Sequence, residues 1–252
     1  MSDLGGRVAL VTGGGSGLGA AIATALHAAG ADVVVVGRDA SKLAGIVERL
    51  GDRARAAACD VSDPSSVDRL REELEGTPVS ILVNNAGIAG PVAALTDISV
   101  EEWDEVFDVN VRGTFLMCRA FLPGMTARGS GDVINIASVS GKRPLAHRTP
   151  YTASKMAVIG LTSTLAFEVG PAGVSVNTLS PGPVAGPRME RNFRLEAERS
   201  GGSVADAEEA FVSRSALRRM VTEEEVGAAV VAMLAMPGMC GADVDLSAGM
   251  IA

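Results

Sequence analysis

Aromatic residues are rare in this 252-residue chain, making up 3% of it, with one tryptophan and one tyrosine. So few rings argue against a surface on which nucleic-acid bases stack. Basic residues are also in the minority, because 22 of them against 30 acidic residues leave a net charge of −8. That charge opposes binding to the phosphates of nucleic acids and of anionic membranes. We therefore predict neither a nucleic-acid partner nor a membrane partner.

Cysteine and histidine are scarce as well. The three cysteines, Cys59, Cys118 and Cys240, are far apart and form no Cys-x-x-Cys pair, which argues against a disulfide framework and a zinc site. No group of His, Cys and carboxylate residues has the spacing of metal ligands, so we expect no metal. The sequence also lacks a signal-peptide-like start and any run of about 18 apolar residues. These absences favour a soluble, cytoplasmic protein.

Short apolar, β-branched runs alternate with helix-length stretches rich in Ala, Leu and Glu. The runs are 7–12, 32–36, 55–59, 80–85, 132–138, 174–180 and 243–247, and the helical stretches are 17–29, 40–51, 64–76, 99–122, 149–170 and 222–236. Continuously apolar strands are typical of parallel sheets buried on both faces. The alternation predicts one α/β domain over residues 1–252, with a doubly wound parallel sheet of about seven strands and helices on both faces.

The segment after the sixth predicted strand breaks this alternation. Residues 181–220 begin with three prolines and two glycines and then become polar and helical, with a break at Gly201-Gly202. Insertions of this length are usually functional. We predict a substrate lid over 183–219, and a solvated helical hairpin is the alternative.

A cluster of glycines follows the first predicted strand, and Gly15, Gly17 and Ala20 fit the pattern G-x-G-x-x-A. Glycine is costly to order, so a flexible loop is one interpretation. The setting between a strand and a helix favours another: a tight turn whose amides approach a pyrophosphate at the helix N-terminus. We expect the phosphate contacts to come from this turn, at Gly13, Gly15, Ser16, Gly17, Leu18 and Gly19.

A longer pattern is more specific: Thr12, Gly13, Gly17 and Gly19 form T-G-x-x-x-G-x-G, which resembles the nucleotide loop of the classical short-chain dehydrogenase/reductase family. Further motifs of that family follow in order: Asp60-Val61, "NNAG" at 84–87, Asn110 in "NVRG", Ser138 in "INIAS", Tyr151 and Lys155 in "YTASK", and "VNTLSPG" at 176–182. The resemblance covers nearly the whole chain and extends to members similar to 3-oxoacyl-carrier-protein reductases. It implies a Rossmann-type fold and an oxidoreductase that uses a nicotinamide dinucleotide.

The resemblance also implies the site residues. The catalytic set is Asn110, Ser138, Tyr151 and Lys155. Beyond the glycine turn, the cofactor contacts are Arg38, Asp60, Val61, Asn85, Ala86, Gly87, Tyr151, Lys155, Pro181, Gly182 and Val184. One position departs from the family, because Gly186 stands where a threonine often holds the nicotinamide end.

Tyr151 and Lys155 are four residues apart, so on a helix they share one face. An ammonium beside a phenol favours the phenolate, which suits a general acid/base. By resemblance, Lys155 also binds the nicotinamide ribose, Ser138 orients the substrate oxygen and Asn110 holds a relay water. The alternative is that this single tyrosine is a packing residue; the lysine four positions on favours catalysis.

Cofactor choice depends on the end of the second strand, where Gly37 replaces the aspartate common in NAD-selective members and Arg38 follows. A guanidinium suits a 2′-phosphate. Asp39 and the lack of a basic residue before Gly17 weaken this argument. We predict NADP(H), with NAD(H) as the second candidate.

The substrate is predicted only by class, as a secondary alcohol or ketone. The acid-free stretch 142–148 contains Lys142, Arg143 and Arg148, and the lid adds Arg188, Arg191 and Arg194 against Glu190. These charges would suit a carboxylate- or phosphate-bearing substrate such as an acyl thioester, or they are ordinary surface charge. A dehydratase or epimerase of the same fold and a non-catalytic nucleotide sensor are the alternative functions.

The helix that contains Tyr151 predicts an assembly. From residue 152 to 169 its only charged residues are Lys155 and Glu168. A helix without a polar stripe is expected to be buried on both sides. By resemblance to dehydrogenases whose helices pair about two-fold axes, we predict a homotetramer or a dimer; the alternative is a monomer in which helix 99–122 covers this one.

Overall fold

The computed structural model describes residues 3–143 and 145–250, apart from the side chains at positions 187, 188, 195 and 199. Within these residues, seven strands form one sheet: β1 (Val8–Thr12), β2 (Asp32–Gly37), β3 (Ala54–Ala58), β4 (Val79–Asn84), β5 (Gly131–Ile136), β6 (Val174–Pro181) and β7 (Asp243–Leu246). The described helices are α1 (Gly17–Ala28), α2 (Ala40–Leu50), α3 (Pro64–Glu73), α4 (Val100–Phe107), α5 (Gly113–Arg128), α6 (Thr149–Val169), α7 (Pro187–Ser200), α8 (Val204–Val212) and α9 (Glu223–Leu234).

The sheet is parallel throughout, in the order β3-β2-β1-β4-β5-β6-β7. The chain runs outward from β1 to β3, returns to place β4 beside β1, and then runs outward in the opposite direction. A doubly wound sheet opens a crevice at the carboxyl ends of the two strands where the order reverses. The predicted doubly wound seven-stranded fold is confirmed, and it locates the crevice at β1 and β4.

Both faces of the sheet are buried, which explains why its strands are continuously apolar. Alternate residues of β1 enter different clusters: Val11 packs with α1 and α9 on one face, and Leu10 packs with α3 and α5 on the other. Both of these side chains are fully buried. On the first face α1 and α9 approach so closely that a Cβ on Gly227 would lie 2.9 Å from the oxygen of Ala21.

The predicted helix 99–122 differs from the structure in two ways. It is interrupted by a π-helical turn over Asp108–Arg112, and it continues past Pro123 to Arg128. The prediction ended the helix at the proline, which cannot donate a backbone hydrogen bond. Burial of Phe121, Leu122 and Met125 on the sheet offsets that loss. The helix ends instead at Gly129, whose φ of 67° is left-handed.

The scarce residue types have simple environments. Cys59 and Cys118 are buried and Cys240 is exposed, and burial raises the pKa of the Cys118 thiol to about 12. Among residues 3–143 and 145–250, no three His, Cys, Asp or Glu side chains are grouped as a metal would need. Over the same ranges, none of the helices has the length and apolarity of a membrane span.

Candidate active site

A cavity of about 580 Å³, here named the larger cavity, opens at the carboxyl ends of β1, β4, β5 and β6. It collects most of the side chains and glycines that the sequence pointed to. The predicted residues on its wall are Gly13, Ser16, Gly17, Leu18, Gly19, Arg38, Asp60, Val61, Asn85, Ala86, Gly87, Ser138, Tyr151, Lys155, Pro181, Gly182 and Val184. Gly15 and Asn110 do not line this wall.

The glycine turn after β1 is held by close main-chain approaches. Gly13 has a φ of +65°, and a Cβ on Gly19 would lie 2.1 Å from the Gly13 oxygen, so only glycine fits at position 19. The Thr12 hydroxyl ties the turn to the loop after β4 by accepting hydrogen bonds from the amides of Asn85 and Ala86, both at 3.0 Å. The start of α1 is thereby fixed at the mouth of the cavity.

The N-terminus of α1 is open to an anion. Among the described helices, side chains cap α2, α3, α4, α8 and α9, but Ser16 makes no capping hydrogen bond to α1, and the first turn of α1 contains no acid. Uncapped amides at a helix N-terminus bind phosphate groups. This end of the cavity therefore fits the diphosphate of a dinucleotide.

Charged groups mark the end of the larger cavity near β2 and β3. A guanidinium nitrogen of Arg38 lies 3.9 Å from a carboxylate oxygen of Asp60. The Ser62 hydroxyl, which donates to Asp60 at 2.6 Å, lowers the pKa of that carboxyl. Asp39 faces elsewhere, because its carboxylate caps α2 through the amides of Ser41 and Lys42. Arg38 and Asp60 are thus the charges on this end of the wall.

Tyr151 and Lys155 lie on one face of α6, as predicted. The ammonium of Lys155 is 5.8 Å from the centre of the Tyr151 ring and donates a hydrogen bond of 2.8 Å to the Ile136 oxygen. Lys155 is buried, and Ser138, at the end of β5, is 7% exposed on the same wall. A buried cation, a phenol and a hydroxyl therefore line the same wall of the larger cavity.

Asn110 supports this point from behind. Its amide accepts from the Ile88 amide at 2.8 Å and donates to the Ile88 oxygen and the Ser154 hydroxyl, both at 3.0 Å. A Cβ on Gly87 would lie 3.0 Å from the Asn110 Oδ1 and 3.4 Å from the Lys155 Nζ. Asn110 lies in the π-helical turn and thus holds the loop after β4 in place. π-Helical turns are frequent at functional sites.

Gly15 has a packing role instead of a place on the wall. A Cβ at this position would lie 3.2 Å from the Cβ of Lys42 and 3.4 Å from a methyl group of Leu43. The glycine therefore lets the turn rest on α2. His147, four residues before Tyr151 in the chain, is exposed and absent from the described walls of both cavities.

Sequence reasoning missed Glu223, the first residue of α9. Its Oε1 lies 3.5 Å from the position of a Cβ on Gly17 and 3.6 Å from that of a Cβ on Gly186. Burial, followed by the nearby charge of Glu224, raises the pKa of Glu223. Three consecutive glutamates at a helix start look like ordinary N-terminal acids, so the sequence contained no signal that one of them enters the larger cavity.

A second cavity of about 260 Å³, the smaller cavity, meets the larger one at Ser138, Tyr151 and Gly182. Its apolar wall includes Met189 and Phe211 from α7 and α8. These helices form the predicted lid segment and pack together through Phe193 and Phe211, whose ring centres are 5.5 Å apart. The smaller cavity therefore lies between Ser138 and Tyr151 on one side and the α7–α8 hairpin on the other.

The predicted basic patch at 142–148 is only partly correct. Lys142 is neutralised by Asp243, at 2.8 Å, and by Asp245. Arg143 and Arg148 line the smaller cavity together with Arg214, which no sequence motif indicated. Of the lid arginines, Arg194 lies 3.8 Å from Glu190, and the Arg188 side chain is outside the described residues.

The chain is similar in sequence and in fold to known proteins. The model of the short chain dehydrogenase family matches residues 7–198. An uncharacterized oxidoreductase of Staphylococcus aureus (strain N315) is 41% identical over 187 residues, covering 73% of this chain and 80% of that one. An NAD⁺-bound xylitol dehydrogenase structure is 26% identical, with a TM-score of 0.92 and coverage of 98% and 100%. An actinorhodin polyketide ketoreductase with NADPH is 30% identical, with a TM-score of 0.91 and 99% coverage of both chains.

The family match spans most of the chain, and the TM-scores show that the two solved structures share its fold. The resemblance inferred from the motifs is thereby confirmed. The chain belongs to the short-chain dehydrogenase family and is an oxidoreductase that acts on CH–OH groups with a nicotinamide dinucleotide.

Proposed function

We propose that the protein interconverts a secondary alcohol and a ketone, with Tyr151 as the general acid/base. The observation that carries this proposal is the position of Tyr151 on the wall that the two cavities share, with the buried Lys155 on the same helix face. One cavity is adjacent to the uncapped helix that suits a diphosphate, and the other leads away from it. A substrate in the smaller cavity then meets the nicotinamide end of the cofactor at Tyr151.

A bound nicotinamide dinucleotide supplies or accepts the hydride. In the direction of reduction, the Tyr151 hydroxyl gives its proton to the substrate oxygen, and the Ser138 hydroxyl donates a hydrogen bond to the same atom. The ammonium of Lys155 favours the phenolate that Tyr151 leaves behind. Asn110 keeps the loop after β4 in place and, in this proposal, orients the water that returns a proton.

We favour NADP(H) over NAD(H). Arg38 is mostly exposed at the cavity rim, where its guanidinium can bind a 2′-phosphate. Asp39, which could have repelled that phosphate, is occupied in capping α2. Gly37 presents no carboxylate to the ribose hydroxyls. NAD(H) stays the second candidate because the charge of Asp60 lies beside Arg38.

A steady-state assay of ketones with NADPH and with NADH tests the proposal through the loss of the absorbance of the reduced cofactor. We expect turnover of at least one secondary alcohol–ketone pair, with the higher kcat/KM for NADPH. Tight NADPH binding without turnover of any carbonyl would favour a nucleotide sensor. Loss of water from a hydroxyl substrate, or inversion of its carbinol centre, with no net change in the cofactor would favour a dehydratase or an epimerase. The cytoplasmic location stays a prediction.

We further propose that the chain is one catalytic domain in which residues 183–219 act as a lid. The α7–α8 hairpin has its own apolar contacts at Met189, Phe193 and Val212, and it forms part of the smaller cavity. The hairpin can therefore move as a unit about Gly182 and Gly186, which lie between β6 and α7. Hydrogen exchange should show greater protection of this segment when cofactor and substrate are bound; unchanged protection would make it a solvated hairpin.

The assembly that we propose is a homotetramer or a dimer built on α6. One face of α6 packs on the sheet, but Phe167 on the other face is 84% exposed and Met156 is 45% exposed in the single chain. Helices α4 and α5 leave these side chains uncovered. Light scattering should find a particle larger than one 25.6 kDa chain, and Phe167→Glu or Ser163→Arg should dissociate it. A monomeric wild-type protein would contradict the proposal.

A further inference from the structure

We propose that the smaller cavity is an anion site, and that the substrate is a small secondary alcohol or ketone bearing a carboxylate or a phosphate group. This inference rests on the proposed function for the reacting end of the substrate. The charged end is assigned from Arg143 and Arg214, with Arg148 nearby on the same wall.

The charge of the smaller cavity is opposite to that of the protein. Of the sixteen described residues on its wall, three are arginines and none is acidic, although the chain has 30 acidic and 22 basic residues. The guanidinium groups of Arg143 and Arg214 face one cavity with no acid on its described wall, so they repel each other. An anion entering this space removes that repulsion and gains charge-assisted hydrogen bonds.

The contacts of two of these arginines orient them without neutralising them. Arg143 donates to the backbone oxygen of Met250 at 3.2 Å. Arg214 donates to the Phe211 oxygen at 3.4 Å, and its guanidinium carbon lies 4.6 Å from the centre of the Phe211 ring. Within residues 3–143 and 145–250, neither arginine forms an ion pair with an acidic side chain. A planar guanidinium held in this way keeps its fork of donors for a carboxylate or a phosphate.

The neighbouring Lys142, in contrast to Arg143, is neutralised within the fold. Its ammonium lies between Asp243 and Asp245 of β7. Arg143, the next residue along the chain, turns to the smaller cavity instead. The two adjacent cations thus have different environments, and only the one on the cavity wall lacks an acidic partner among the described residues.

The size and lining of the cavity limit the rest of the substrate. A volume of about 260 Å³ is below the range of drug-sized ligand pockets, which begin at about 300 Å³. Met189 and Phe211 offer apolar contact to a short carbon chain, and Ser138 and Tyr151 stand on the same wall. A molecule of a few carbons, with an anionic group at the arginines and a carbinol or carbonyl carbon at Tyr151, fits this arrangement.

The test measures binding, so that it does not depend on hydride transfer. Calorimetric titrations use two matched pairs: 3-oxobutanoate with its methyl ester, and dihydroxyacetone phosphate with dihydroxyacetone. Each titration is done with the wild-type protein, with Arg143→Gln, with Arg214→Gln and with the control Arg191→Gln. Each of these proteins is titrated alone and with oxidised dinucleotide, which cannot reduce a ketone. Arg191 is an exposed arginine of α7 that is not on the described wall. Circular dichroism confirms that each variant is folded.

We expect at least one anion to bind the wild-type protein about 10-fold or more tightly than its neutral partner. Each of the two cavity variants should reduce the affinity for that anion about 10- to 100-fold and leave that of the neutral partner unchanged, and Arg191→Gln should change neither. The pair that shows the effect distinguishes carboxylate from phosphate. Equal binding of charged and neutral partners in both pairs, no binding of either anion, or an equal loss in Arg191→Gln would overturn the inference. Absence of turnover in the separate kinetic assay would instead count against the proposed function.

Discussion

The larger and the smaller cavity share Ser138, Tyr151 and Gly182, but otherwise they are lined by different kinds of residue. The wall of the larger cavity includes seven glycines, which present only main chain: Gly13, Gly17, Gly19, Gly37, Gly87, Gly182 and Gly186. The wall of the smaller cavity includes one glycine, Gly182, and several long side chains from separate segments, among them Arg143, Met189 and Arg214. In the proposed function the first wall binds the dinucleotide and the second wall contacts the substrate.

This difference predicts how substitutions affect each cavity. Main-chain walls leave no room for added atoms, so substitutions there damage the fold and the cofactor site together. Side-chain walls tolerate replacement but lose the contact that the side chain made. Substitutions at Tyr151, Gly19, Arg38 and Glu223 use this contrast, from the largest expected effect to the smallest.

Tyr151 lies where the two cavities meet, so its hydroxyl should affect chemistry more than binding to either wall. Tyr151→Phe removes the acid/base group and keeps the ring. We expect turnover to fall by about 10²- to 10⁴-fold, with NADPH affinity nearly unchanged. Steady-state kinetics and fluorescence titration of NADPH measure the two quantities. Turnover at the wild-type rate would refute the role of Tyr151.

Gly19 tests the main-chain wall. An alanine there would place its Cβ 2.1 Å from the Gly13 oxygen, so the turn must move. We expect Gly19→Ala to lower the free energy of unfolding by about 1–3 kcal/mol and to weaken NADPH binding. The matched control is Gly45→Ala on exposed α2, where a Cβ meets nothing within 4 Å; it should stabilise the protein by about 0.5–1 kcal/mol. Urea denaturation measures both, and equal behaviour of the two variants would contradict this account.

Arg38 is a side-chain contact on the mainly main-chain wall. If it binds the 2′-phosphate, Arg38→Ala should weaken NADPH about 10- to 100-fold and affect NADH much less. Binding constants for both cofactors decide the matter. The same loss for both cofactors would show that Arg38 does not contact the group in which they differ.

Glu223 is the unexpected charge on that wall. Its carboxylate lies beside Gly17, where a diphosphate would bind, so Glu223→Gln should tighten NADH binding about three- to tenfold. The control is Glu224→Gln, which removes the same charge from an exposed position on α9 and should have a smaller effect. An equal gain in the two variants would mean that only the net charge matters.

The same carboxylate predicts a pH dependence. The pKa of Glu223 is raised by burial, so protonation removes its charge as the pH falls through that pKa. NADH affinity of the wild-type protein should therefore increase toward lower pH, and Glu223→Gln should reduce that increase. NADH is the suitable probe because it lacks the 2′-phosphate, which titrates near pH 6 itself. A pH dependence that is the same in both proteins would exclude Glu223 as its source.

What the sequence could predict follows the same division. Glycines at fixed spacing are required by close main-chain approach, so the turn at Gly13–Gly19 and the doubly wound sheet could be inferred from residue patterns alone. Gly15 packs on α2 and does not line the larger cavity; such a glycine has the same appearance in sequence as one that contacts a ligand, and its cofactor contact stays a prediction. Arg214 and Glu223 could not be selected, because only the tertiary fold shows which charged side chain turns inward.

Residues 243–250 lie far along the chain from Lys142 and Arg143, which they hold in place. Lys142 is bonded to Asp245, 103 residues later, and Arg143 to Met250, 107 residues later. The base of the lid is tied to the same stretch through Leu217 and Ala248. At a synthesis rate of about 5–20 residues per second, these partners reach the catalytic segment about 5–20 seconds after it is made. During translation, the nascent chain can therefore complete its glycine turn long before it has a supported catalytic loop.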